Sequence, residues 1–82
     1  MLEETDEKID CKILFQKGKA IPLSIFWEKK WYEIKEVLLR WEERKGETSL
    51  RHFSVTDGIN TFHIVFHSDT MKWKLMGFDT EI

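Results

Sequence analysis

Residues 26–41, FWEKKWYEIKEVLLRW, decide the fold, because their apolar positions satisfy two incompatible periods. At helical spacing Trp27, Trp31, Ile34, Leu38 and Trp41 fall 4, 3, 4 and 3 residues apart and line one stripe of an amphipathic helix. At strand spacing the same letters give a strand ending at Trp27, a tight turn at Glu28-Lys29-Lys30, and a second strand from Trp31 to about Arg44. In the strand reading Tyr32 and Ile34 point one way while Val37, Leu39 and Trp41 point the other, so the apolar face flips near Lys35-Glu36. Such a flip needs a bulge or a sharp bend, the device by which a long strand passes from one sheet to another in a small barrel. The helix uses good formers and needs no irregularity, but no Ser, Thr, Asp or Asn stands immediately before the stripe to cap it.

The flanking sequence favours strands. Upstream, Lys12 to Phe15 is a short strand candidate, Gln16-Lys17-Gly18-Lys19 is a polar turn, and Ile21, Leu23, Ile25 and Trp27 alternate with Ala20, Pro22, Ser24 and Phe26. Pro22 lacks an amide donor, which puts it at a sheet edge or a bulge. Downstream, Leu50 to Thr56 and Thr61 to Phe66 alternate around Asp57-Gly58-Ile59-Asn60, a strong hairpin signal. Pairing Thr56 with Thr61 sets Val55 opposite Phe62 and Phe53 opposite Ile64, so the apolar faces coincide. His67 to Thr70 then turns the chain into a last strand carrying Trp73 and Leu75. Glu42 to Ser49 reads as an exposed, mobile loop. The expected fold is all-β: a small antiparallel meander of five to six strands forming a bent sheet or small barrel. The alternative is α+β with residues 27–45 helical.

At 82 residues the chain is one domain, and four Trp and six Phe give it an aromatic core that needs no disulfide or metal. Its lone cysteine, Cys11, has no internal partner. No apolar run reaches the roughly 18 to 20 residues of a membrane span, and the acidic opening MLEETDEKID does not read as a signal peptide, so the expected location is cytoplasmic. Residues 1–10 hold a charge of −4 within a net −2, which reads as a flexible, solvated tail before a β domain over 11–82. The remaining body, at +2, is too weakly basic to mark a dedicated nucleic-acid binder.

Pro22, Trp27, a short charged turn, Tyr32, Ile34, Glu36-Val37, Trp41, Arg51 and Phe53, the Asp57-Gly58 turn, Phe62, Trp73 and Leu75 follow one another in a familiar spacing. Over about residues 20–76 this succession resembles a small bacterial domain of unknown function that occurs alone or beside proteins related to Y-family, lesion-bypass DNA polymerases. The resemblance implies a compact β-rich domain with an indirect link to DNA repair, and no catalytic residue.

Three groups of side chains qualify as candidate sites. His52, His63 and His67 share the face opposite Phe53 and Phe62, with His52 facing Val65 and the other two diagonal to it, at roughly 7 to 8 Å. His52 with one partner can approach a metal, while His63 and His67 are too far apart to chelate together; a polar face without a ligand is the expectation. Cys11 and the Glu42-Glu43 pair have no neighbours in sequence that would make them catalytic. No glycine-rich phosphate loop, CxxC or HExxH occurs. The expectation is therefore no enzyme, no cofactor and no metal. The aromatics carry more: Trp27, Trp31, Tyr32, Trp41 and Trp73 are interleaved with lysines, as in stacking platforms and protein hot spots. Trp31, Trp41 and Trp73 with Lys29, Lys30, Lys72 and Lys74 form the candidate interaction surface. The expected role is a binding or assembly module for a protein partner or a second copy, with nucleic-acid binding as the alternative.

Overall fold

In the computed structural model, which describes residues 2–80, the chain is all-β. Its seven strands are β1 (Leu2–Gln16), β2 (Lys19–Trp27), β3 (Lys30–Glu33), β4 (Glu36–Lys45), β5 (Thr48–Thr56), β6 (Asn60–His67) and β7 (Lys72–Thr80). They form one antiparallel sheet in the order β3-β2-β1-β7-β6-β5-β4, so its two edge strands are consecutive in the chain. Ile34 and Lys35 join them: the Ile34 amide donates to Leu23 O at 2.9 Å and the Lys35 amide to Thr56 O at 2.8 Å. That corner ties the two ends of the sheet together and curls it into a half-barrel. The helix alternative for 27–45 is therefore wrong, and the bend foreseen near Lys35-Glu36 falls at Ile34-Lys35, dividing the expected long strand into β3 and β4.

A bulge at Leu38 adds a second irregularity. Val37 pairs with Val55, the register shifts, and Leu39 pairs with Ser54. Val37 consequently packs on the core beside Tyr32 and Ile34, whereas Leu39 and Trp41 turn outward. The common face expected for Val37, Leu39 and Trp41 does not form, because one inserted residue reverses the alternation. Pro22 sits where its missing donor costs nothing. It lies opposite Ile13 at a register shift, in the half of β2 that β3 does not cover.

The β5–β6 hairpin has the expected register, with Thr56 on Thr61, Val55 on Phe62, Phe53 on Ile64 and His52 on Val65. Within its turn only Gly58 takes positive φ, at 100°. Asp57 accepts the amides of Ile59 at 2.9 Å and Asn60 at 2.6 Å on Oδ1, and the Asn60 side chain at 2.9 Å on Oδ2. Burial pushes the Asp57 carboxyl up, but these hydrogen bonds together outweigh it and hold the group below its ordinary range.

Two segments expected to be unstructured are strands. Residues 2–10, read as a tail, belong to β1 and pair with β7 from Leu2 on Asp79 to Ile9 on Trp73, before the same strand goes on to pair β2. Main-chain pairing does not depend on side-chain hydropathy, and Ile9 is buried where the strand crosses the core. Asp6 meets Lys74 at 3.3 Å on the outer side, whereas Glu7, opposite Leu75, turns toward the core and accepts the indole N–H of Trp27 at 2.5 Å. Likewise the expected loop over 42–49 is the end of β4, a two-residue turn at Gly46-Glu47, and the start of β5. The core is Ile9, Ala20, Ile25, Trp27, Phe53, Val55, Phe62, Ile64, Phe66, Trp73 and Leu75. Each fully buried aliphatic or Phe side chain contributes about 1.5 to 3 kcal/mol, so this cluster supplies most of the drive to fold.

Candidate interaction surface

The seven residues of the expected surface do not form one patch. Trp73 is 7% exposed and packs between Phe53 and Phe66, so it belongs to the core; inward alternation on β7 puts it beside Leu75 rather than beside the lysines. Lys72 is exposed on the same strand, and Lys74 is half-buried and paired with Asp6. Trp31 and Trp41 are 43% and 41% exposed, but they stand on the two opposite edge strands.

Around Trp31 the surface is aromatic and cationic. Phe26, its partner across the β2–β3 ladder, lies against it with ring centroids 5.2 Å apart, and Lys12 Nζ sits 4.7 Å from its centroid. Lys30 Nζ lies 5.1 Å from the Tyr32 ring, and exposed Lys29 forms the adjoining turn.

Around Trp41 the surface is an unpaired edge. Among the described residues β4 pairs only with β5, and all its residues except Val37 are exposed, including Leu38, Leu39 and Trp41. Native sheets ordinarily keep edge strands short or cover them, since unpaired amides and carbonyls recruit another strand. On the outer face Trp41 stacks on His52, with centroids 4.9 Å apart and 9° between planes. His52 is held in turn: its Nε2 lies 2.9 Å from Glu43 Oε1 and its Nδ1 lies 2.8 Å from His63 Nε2. A carboxylate only accepts, so His52 Nε2 carries a hydrogen, and in the neutral ring Nδ1 accepts from His63. Burial, and then the charge of His52, hold the His63 pKa below the ordinary histidine value. His67 stands outside this group. No set of three or more His, Cys, Asp or Glu side chains among the described residues is arranged to hold a metal ion.

On the inner face Arg40 lies 5.5 Å above the Phe53 ring and donates from Nη1 to Ala20 O at 3.2 Å. This single side chain spans the seam between β4 and the uncovered half of β2. Beside it is a slot of about 260 Å³ lined by Lys19, Arg40, Trp41, Arg51, His52 and Phe53, among others. The charged rim and the left-open edge follow from the bend at Ile34-Lys35, which pattern reading located but could not assign to opposite ends of a sheet.

Cys11 lies on β1 opposite Ile25, and burial pushes its thiol up to about 12, far from nucleophilic at neutral pH. Among the described residues no helix is long and apolar enough to cross a membrane. No family model, no curated protein and no solved structure matches the chain.

Proposed function

We propose that the protein is a non-enzymatic binding or assembly module of the cytoplasm that docks a protein partner by strand addition to β4. The supporting observation is the edge itself: ten residues of strand, unpaired on one side and exposed at every position but Val37, with Leu38, Leu39 and Trp41 on it. Strand addition draws affinity from the main chain and selectivity from alternate side chains, here Trp41 outward and Arg40 inward.

The test is an assigned amide spectrum titrated with a soluble threonine- and valine-rich peptide and, separately, with a short single-stranded oligonucleotide. The peptide is expected to shift the amides of residues 38–45, with little dependence on salt. If neither ligand moves those amides, the edge is not a docking site.

One observation favours a second reading, a nucleic-acid accessory domain linked to repair, which is also what the resemblance implies. Trp31 carries Lys12 over its ring, with Lys29 and Lys30 alongside, the pairing of aromatic face and cation that holds unpaired bases. Oligonucleotide shifts confined to Trp31 and these lysines, fading as salt rises, would put this reading first.

A further inference from the structure

We propose that the strand added to β4 is β4 of a second copy, antiparallel to the first, with the two-fold axis passing between the two Trp41 residues. This rests on the strand-addition reading and names its partner. The backbone directions follow from the β4–β5 hairpin. Its two-residue turn is closed by Lys45 and Thr48, and the closing residues of such a hairpin exchange hydrogen bonds. Alternation then turns the amides and carbonyls of Glu43, Trp41 and Leu39 toward β5, and those of Arg40, Glu42 and Arg44 toward the empty side.

A strand that continues the sheet must face residues of one side with residues of the same side, and this leaves few registers. With the axis at Trp41, Arg40 of each copy faces Glu42 of the other, giving two opposite-charge pairs on the inner face. With the axis at Arg40, arginine meets arginine. At Glu42, glutamate meets glutamate and Arg40 meets Arg44; at Glu43, Glu42 faces Arg44 but two glutamates meet at the centre. Among these registers only the one about Trp41 gives opposite-charge pairs without a like-charge pair at its centre.

The centre also has the right geometry. Because Trp41 bonds its backbone to β5, the Trp41 pair falls at a non-hydrogen-bonded site of the new ladder, where strands approach most closely and aromatic pairs gain most. Each indole is already fixed by its stack on His52. Arg40 has five donors and gives one to Ala20 O, and Glu42, whose Oε2 lies 3.7 Å from Arg51 Nε of its own chain, keeps its other oxygen to accept from Arg40 of the other copy.

Sedimentation velocity from micromolar to millimolar concentration tests this with three samples: the native chain, Arg40→Glu and Glu42→Arg. Both substituted positions are exposed, and amide spectra check that the variants stay folded. The native chain is expected to dimerise with rising concentration. Each single variant places like charges at both contacts and should weaken the dimer on the order of tenfold or more. An equimolar mixture of the two variants restores both pairs in a heterodimer and should recover native affinity. As a second readout, Trp41→Cys in a Cys11→Ser background should form an intermolecular disulfide on mild oxidation. A native chain that stays monomeric at millimolar concentration, a dimer that tolerates both substitutions, or a mixture that does not recover would overturn the proposal. In each of these cases a peptide that still shifts the β4 amides leaves strand addition standing with a different partner.

Discussion

His52 Nδ1 lies 2.8 Å from His63 Nε2, while the other nitrogen of His52 is engaged by Glu43, so three strands share one chain of hydrogen bonds. Burial first and the charge of His52 second lower the His63 pKa in the folded protein. The unfolded chain takes up this proton near the ordinary value of about 6.5, and the folded chain only at lower pH. Between the two the unfolded state binds more protons, so stability is full above about 6.5 and is lost as pH falls through the folded value. The urea midpoint should therefore drop between about pH 8 and about pH 5, and His63→Gln should flatten that drop while leaving the carboxylates to titrate. Equal slopes for the native and His63→Gln proteins would show that the histidine pair is not responsible.

The β2–β3 turn stores strain that can be removed. Glu28 and Lys29 both take positive φ, at 51° and 63°, in a two-residue hairpin closed by Trp27 and Lys30. Asparagine and glycine are the residues that enter this backbone most readily, so Glu28→Asn with Lys29→Gly should raise stability by about 1 kcal/mol. Thermal or urea unfolding reads the change directly. A loss of stability would mean that the two side chains make contacts worth more than the strain.

The same turn shows what pattern reading captures. Two-residue alternation and turn chemistry placed the hairpin at Glu28 to Lys30, the β5–β6 register and the irregular position of Pro22, because each depends on residues near in sequence. Non-local pairing was not legible. Nothing in the hydropathy of residues 2–10 says that β7 offers them a ladder, and nothing in Glu42 to Ser49 distinguishes a polar edge strand from a polar loop. The candidate surface divides for the same reason. Trp73 and Trp41 are equally apolar letters, and only the order of strands sends one inward and the other to an open edge.

That division has a measurable consequence. Trp73, packed between Phe53 and Phe66, should cost about 3 to 5 kcal/mol when replaced by alanine, through lost burial and the cavity left behind. Trp41, exposed at the sheet edge, should cost no more than about 1 kcal/mol in dilute protein. Urea unfolding of the two variants below the concentration of self-association separates them. Comparable losses would mean that the Trp41–His52 stack is a structural contact of the monomer.

Cys11 gives the sharpest contrast between folded and unfolded chain. It sits on β1 opposite Ile25, packed against the core, and burial raises its thiol from 9.0 to about 12. The thiolate is the reacting species, so at a pH below both values its fraction in the folded protein is about a thousandfold smaller than in the unfolded chain. A disulfide-forming probe at mildly alkaline pH should label the native protein slowly, and at a rate that follows global unfolding as urea is added. The urea-unfolded chain should react at once. A native rate within about tenfold of the unfolded one would mean that water reaches the sulfur and that desolvation does not set its reactivity.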